Sequence, residues 1–263
     1  MTRKGMGIDT SIFRQLLGVS SVHMSEETET ELQDFLEILQ EGNGLVYSCS
    51  VGGNADVFPD VLKLHVTAGS VVADVTYGKG VFWKKIPQGL YDTRFTDLKD
   101  EVDFRKLPYG DLTIDAVVID PPYMHTPGGS AHQGHQNYEE YYRNNQASGY
   151  GEEIKYHEAV LRLYQDGFLE AKRVLRDKGV LIVKCQDEVC AGKMRLTMVE
   201  LTHYLVRTGW TVEDLFVVMS NNRPGVSRML QQKHSRRNHS YFLVAKKKEP
   251  SRLDMRLSRD FWP

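Results

Sequence analysis

The chain has 263 residues, 41% of them hydrophobic and 26% charged, which suits a globular α/β domain with one substantial core and excludes a collagen-like or disordered polymer. Net charge is -2, so any contact with a polyanion must come from a local basic patch rather than the total. Cys49, Cys185 and Cys190 form neither a disulfide framework nor a paired zinc signature, and no apolar run of about 18 residues or charged-then-apolar leader is present, so a cytoplasmic chain without a membrane span is expected.

Taken in order, residues 1–57 read as an N-terminal extension packing on the main domain. Within it, Ser25–Gln40 has a capping serine, an acidic first turn and Leu32, Phe35, Leu36 and Leu39 at helical spacing. Residues 58–250 read as the main domain and 251–263 as a tail. Asp60–Val66 predicts a short helix, and Ser70–Val75 a buried strand followed at once by glycines and the apolar stretch Val81–Ile86, read as a helix. Tyr91–Leu98 predicts a second strand, Glu101–Arg105 a short third, and Ile114–Ile119 a strong buried strand stopped by Asp120-Pro121-Pro122-Tyr123. Residues 124–152 read as a long polar loop, and loops of this length inside compact domains are usually functional or disordered. Glu158–Leu175 predicts a helix, Asp177-Lys178-Gly179 a turn, Val180–Val183 a strand and Leu196–Thr208 a helix. Val212–Met219 and Tyr241–Ala245 predict a closing antiparallel pair joined by a polar, basic connection. Strands alternating with helices argue for a doubly wound, largely parallel sheet.

Asp120-Pro121-Pro122-Tyr123 follows a strand, and open α/β sheets bind ligands beyond the carboxyl ends of their strands. Its residue types suit one task. A carboxylate and a backbone carbonyl can accept both hydrogens of an aryl amine, drawing its delocalised nitrogen toward tetrahedral geometry. The prolines fix φ and remove competing donors, and the tyrosine offers a stacking face for an extruded base. The bland alternative is a strand-ending turn with a capping Asp.

The second signal is the run from Asp74 through Val75, Thr76, Tyr77, Gly78 and Lys79 to Gly80, the first β-turn of a nucleotide-type site. Trp83 stands where a dinucleotide fingerprint needs its third glycine, so a ligand with an amino-acid part fits better than a pyrophosphate, and Asp74 can accept from an ammonium. Asp97 ends the second strand, where an acid accepts from ribose hydroxyls, and Asp103 lies at the third, placed to accept from a cofactor's adenine amine; Asp92 and Asp100 compete if the register slips.

These pieces together resemble the amino-methyltransferases of DNA, which act on adenine N6 or cytosine N4. Asp120 to Tyr123 matches the family's Asp-Pro-Pro-Tyr motif in full, and Asp74 to Gly80 resembles its Asp-Pro-Phe-x-Gly-x-Gly motif, with Val75-Thr76-Tyr77 departing from Pro-Phe-x. Phe58-Pro59 with Leu62 resembles the cofactor-side segment, and Glu170-Ala171-Lys172-Arg173-Val174-Leu175 with Gly179 is also similar. The resemblance implies a Rossmann-like class I methyltransferase fold, a mixed seven-stranded sheet with an antiparallel terminal strand pair. It implies S-adenosylmethionine as methyl donor, held by Phe58, Asp74, Thr76, Tyr77, Gly78, Gly80, Asp97 and Asp103, with no metal needed. The implied reaction is methyl transfer to a DNA base, adenine N6 favoured, with Asp120, Pro121, Pro122 and Tyr123 catalytic. An RNA base methyltransferase and an inactive nucleic-acid-binding module on the same fold are the alternatives.

Residues 221–248 carry Arg223, Arg228, Lys233, Arg236, Arg237 and Lys246–Lys248 but no Asp or Glu, a balance suited to phosphate contact with DNA or RNA. The alternative for the triple lysine is a solvated strand end. His125, His132 and His135 lack a helical metal-pair spacing. Lys184 and Gln186-Asp187-Glu188 follow the fifth strand on the ligand side, without an assignable role.

Overall fold

The computed structural model describes residues 45–121, 157–190, 192–221 and 233–247. The chain divides into two units, Met1–Leu45 and Val46–Pro263, and the elements below all belong to the second. The expected helix at Ser25–Gln40, the 124–152 loop and the 251–263 tail lie outside the described residues.

Strand β1 (Cys49–Val51) leads into helix α1 (Asn54–His65). The α1 start is set by Asp56, whose carboxylate accepts from the Gly53 backbone N–H at 2.7 Å and so satisfies a donor the helix cannot. The helix thus begins well ahead of the expected Asp60, and carries Pro59 inside it. It buries Val57, Phe58, Val61 and Leu62 on one stripe. Strand β2 (Val71–Asp74), a single 3-10 turn (Phe82–Lys85) and strand β3 (Asp92–Phe95) follow. The expected helix over Val81–Ile86 is only that 3-10 turn. Six residues between Gly80 and Pro87 are too few to repay helix nucleation, and the residue before proline avoids the helical region.

The expected third strand at Glu101–Arg105 does not form. Glu101 takes a left-handed φ of 59°, Asp103 and Arg105 bind one another, and Phe104 and Leu107 turn into the core. A second 3-10 turn (Leu98–Asp100) precedes this loop, and strand β4 (Ile114–Ile119) comes after it. Helix α2 (His157–Val174) runs directly into strand β5 (Leu175–Cys185). The expected Asp177-Lys178-Gly179 turn is an irregularity inside β5, where the pairing jumps from Ile114↔Leu175 to Ala116↔Val180. A Cβ at Gly179 would lie 2.8 Å from the Arg176 carbonyl oxygen, so the jump needs glycine. A small hairpin, β6 (Glu188–Cys190) and β7 (Lys193–Arg195), precedes helix α3 (Thr197–Arg207), strand β8 (Trp210–Met219) and strand β9 (His239–Lys247).

The main sheet has seven strands in the order β1-β8-β9-β5-β4-β2-β3. Only β9 is antiparallel, held between β5 and β8. The seventh strand is therefore β1, paired parallel to β8 at one edge, not the segment expected after β3. Side chains alternate between two cores. Val72, Ala116, Val118, Ile182, Phe242 and Val244 face α1, whereas Ala73, Val117, Ile119, Leu181, Val183 and Leu243 face α2 and α3. Strands buried on both faces read as unbroken apolar runs, which is why the central ones were legible in the sequence. The chain leaves β2 toward β3 on one side and β4 toward β5 on the other, so the sheet reverses between β2 and β4, the place where open α/β sheets take ligands beyond their carboxyl ends.

Candidate ligand crevice at the strand tips

Asp74 ends β2 and is 2% exposed. Trp83 Nε1 donates to its Oδ2 at 2.7 Å and the Thr76 backbone N–H to its Oδ1 at 3.2 Å. Burial nevertheless pushes its carboxyl up to about 6, against those bonds and with the Asp97 charge adding to the rise. Thr76 then joins the two strand tips, its Oγ1 accepting from the Asp120 backbone N–H at 2.7 Å. The glycine turn and the Asp-Pro-Pro-Tyr start are thus bound to each other across the crevice.

Gly78 and Gly80 take φ of 54° and 63°, and a Cβ at Gly80 would lie 2.4 Å from the Tyr77 hydroxyl oxygen. The Tyr77 ring stacks on Phe95 at 4.1 Å, closing the turn against β3. Asp97 caps the second 3-10 turn and holds the glycine turn as well: Gly78 N–H donates to Oδ2 at 2.7 Å and Lys99 N–H to Oδ1 at 3.0 Å. The competitors are elsewhere. Asp92 begins β3 and pairs with Arg94 at 2.8 Å, and Asp100 lies within the 3-10 turn.

Asp120 follows Ile119 at the tip of β4 and is half-buried; its Oδ1 is shielded from solvent and has no hydrogen-bond partner among the described residues. Burial raises its carboxyl well above the usual range, with the Lys184 ammonium pulling it back and Asp74 pushing it further. Lys184 is 1% exposed near the end of β5, donates to Ser240 Oγ and lies 5.0 Å from the centroid of the Phe242 ring. Burial lowers its ammonium, and Asp120 restores part of that loss. Cys185, next along β5, is pushed up to about 12 by burial and stays a neutral thiol.

Pro121 is buried, while Pro122 and Tyr123 lie outside the described residues. Phe58 is wholly buried in an aromatic cluster with Phe82, Trp83 and Phe242 at 5.2, 5.3 and 5.8 Å between ring centroids. It stands behind the turn rather than on its surface. Asp103 lies in a loop, where Arg105 Nη2 donates to it at 2.6 Å; burial works to raise its carboxyl, but the bonds and charge of Arg105 hold it low. Lys233, Arg236 and Arg237 precede β9, which starts at the carboxyl-end edge of the parallel strands. Arg223 and Arg228 lie outside the described residues. Lys246 and Lys247 are at the other end of β9, where Lys246 pairs with Glu213 at 3.4 Å and Lys247 donates to the Leu175 carbonyl at 2.9 Å, and Lys248 lies outside the described residues.

Sequence reasoning placed Lys184 on the ligand side without giving it a role, and passed over Ser240 and Phe242. A lysine interrupting the apolar run from Val180 to Cys185 was the available signal, since lysine is almost never fully buried without a compensating partner. Gln186, Asp187 and Glu188, left without roles, brace the surroundings. Gln186 donates to the His239 carbonyl at 2.8 Å, Asp187 accepts from Met198 N–H at 3.1 Å and Tyr241 OH at 3.1 Å, and Glu188 binds His157 at 2.9 Å.

Among the described residues no group of His, Cys, Asp and Glu is arranged to hold a metal ion, and His125, His132 and His135 lie outside them. Among the same residues no helix is long and apolar enough to cross a membrane.

Fold and strand-tip geometry together define a Rossmann-like α/β protein with the carboxylates of Asp74, Asp97 and Asp120 gathered at its topological switch point. No protein-family model and no curated protein matches the chain. Among solved structures it is similar to the 1,6-didemethyltoxoflavin-N1-methyltransferase of Burkholderia thailandensis, with bound 1,6-didemethyltoxoflavin and S-adenosylhomocysteine, at 13% identity and TM-score 0.42 over 88% of this chain and 94% of that one. It is also similar to a SAM dependent methyltransferase of Aquifex aeolicus at 14% identity and TM-score 0.42, covering 72% of this chain and 89% of that one. A proposed DNA modification methylase of Thermus thermophilus, complexed with S-adenosyl-L-methionine, aligns at 18% identity and TM-score 0.37 over 57% of this chain; the match spans 55% of that protein.

Proposed function

We propose that the chain is an S-adenosylmethionine-dependent methyltransferase acting on an exocyclic amino group of a DNA base, adenine N6 in the first place. The observation that carries this reading is Asp120: an acceptor oxygen shielded from solvent, without a partner among the described residues, at the switch-point tip of β4 and tied through Thr76 to the glycine turn.

The crevice suits that donor. Its turn is lined by the carboxylates of Asp74 and Asp97, each oxygen of which already accepts one bond and keeps further acceptor capacity. No full helix begins behind the glycines, so the dipole that favours phosphate is missing. Acidic acceptors around a glycine turn favour a ligand bearing ammonium and hydroxyl donors. Asp74 would take the ammonium, Asp97 the ribose hydroxyls, and Gly78 and Gly80 would allow close approach. Once bound, S-adenosylmethionine supplies an electrophilic methyl group, and its transfer leaves S-adenosylhomocysteine.

The chain's own contribution is to make the amine reactive. Asp120, ionised, accepts one amine hydrogen, and the Pro121 carbonyl is the candidate for the second. A carboxyl raised toward neutrality is also a competent acceptor for the proton the nitrogen sheds. Lys233, Arg236 and Arg237, with Arg223 and Arg228, would contact backbone phosphate, giving affinity that falls with salt.

Purified protein incubated with methyl-labelled donor and either duplex DNA or RNA tests the reading. Label in N6-methyladenine of DNA is the expected result, and label in RNA alone, or in neither, would overturn it. Asp120→Ala should reduce transfer by roughly 10²–10⁴-fold while donor binding persists. Base-resolution sequencing of genomic DNA from a methylation-null host expressing the protein would report base and context together.

A further inference from the structure

We propose that Lys184 is a positioning residue for Asp120: a buried counter-ion, moored by Ser240, that holds the carboxylate ionised while leaving its oxygens open to an incoming amine. Its use in catalysis, though not the pairing itself, rests on Asp120 being the amine acceptor proposed above.

Ile119 and Val183 are register partners in the parallel β4–β5 ladder, so Asp120 and Lys184 come next in line on strands about 4.8 Å apart. Ile119 and Val183 both face α2 and α3, so the alternation turns Lys184, the following residue of β5, to the opposite face, and its charge is felt by Asp120 just past the tip of β4. There Lys184 lies opposite Phe242 of β9. Buried charges in proteins are held by opposite charges. Lys184 is 1% exposed, with an alcohol and an aromatic ring as its hydrogen-bond and π partners. Asp120 Oδ1 is shielded and has no donor among the described residues. Each therefore supplies the charge the other lacks. A direct salt bridge would occupy the carboxylate; the Ser240 tether keeps the ammonium near enough to be felt and directed elsewhere.

The remaining groups around the pair act consistently. From β2, Asp74 repels Asp120, with Asp97 behind it, and this makes a counter-ion necessary. At the end of β5, Cys185 is a neutral thiol, and just beyond the strand Asp187 is engaged by Met198 and Tyr241. β9 contributes the uncharged Ser240 and Phe242, and α1 buries only apolar residues on this face.

The test follows the carboxyl carbon of Asp120 by NMR in the full chain labelled at aspartate, with the resonance assigned by its loss in Asp120→Asn. In Lys184→Met its titration midpoint should rise by at least about one pH unit, a tenfold change in proton affinity. Reciprocally, the Lys184 ammonium nitrogen should titrate lower in Asp120→Asn, a measurement that decides the matter even if Lys184→Met fails to fold. An unmoved midpoint in either folded variant would overturn the pairing. In methyl transfer, the acid limb of the rate profile should move up with Lys184→Met and stay in place with Lys184→Arg. A merely structural lysine would lower the rate at every pH without moving the limb. Coupled titrations in a protein that transfers no methyl would keep the pairing and sink the proposed function.

Discussion

Trp83 shows how a single side chain can decide the charge of its neighbour. Its indole N–H donates to Asp74 alongside Thr76, and this bond favours the ionised form against burial. Because the folded carboxyl sits near 6, above its unfolded value of 3.8, the folded state holds its proton more tightly. Asp74 therefore favours folding most below pH 3.8, and that advantage is lost as pH rises through about 6. Trp83→Phe removes the donor, so the Asp74 midpoint should climb above about 6 and stability at pH 8 should fall by about 1–2 kcal/mol. Near pH 4, with the carboxyl protonated, the same substitution should cost less. Urea unfolding followed by circular dichroism at the two pH values checks this, and an equal cost at both would contradict it. In sequence, Trp83 was legible only as the residue that breaks a dinucleotide fingerprint. Its bond to Asp74 needed the 3-10 turn to bring position 83 back over the strand tip.

Among the elements, α2 and the loop before β4 are fitted to each other. Gly167 lies mid-helix facing Phe104, and a Cβ there would come within 2.6 Å of the ring. Gly167→Ala should destabilise by about 1–3 kcal/mol even though alanine is the better helix former by nearly 1 kcal/mol. In a double-mutant cycle, Phe104→Ala should relieve it, with a coupling above about 0.5 kcal/mol; additivity would show that ring and helix do not meet. This contact also explains why the expected strand at Glu101–Arg105 fails. The Val102–Phe104 alternation imitates a strand, but Phe104 and Leu107 are buried against α2 and no ladder partner lies beyond β3 among the described residues. Elements buried on both faces, Ile114–Ile119 and the stretch within Leu175–Cys185, were legible because they are dominated by apolar residues. The edge strand Cys49–Val51 was not, since its three residues are largely exposed and carry no pattern.

At the scale of the whole molecule, His157 fastens three elements. It begins α2, and its ring binds Glu188 of β6 at 2.9 Å and Glu200 of α3 at 2.7 Å. Burial works against a charged ring, but the two hydrogen bonds and the two carboxylates outweigh it and raise its pKa above 6.5. The stabilisation this gives is complete below pH 6.5 and is lost as pH rises through the higher folded value. His157→Gln should therefore cost about 3 kcal/mol at pH 6 and less at pH 9, as read from denaturant midpoints. A cost that grows with pH would refute the charged clasp. The residue types and their order along the chain determined by themselves the alternation of strands and helices, the antiparallel closing pair and the meeting of a glycine turn with Asp120 at strand tips. Apolar periodicity and strand-ending prolines are local signals that need no partner to be read. Only the tertiary structure decided which strand is seventh, that no helix follows the glycines, and that Lys184 stands beside Asp120. Those depend on register between segments far apart in the chain, as with Ile119 and Val183, which no local pattern encodes.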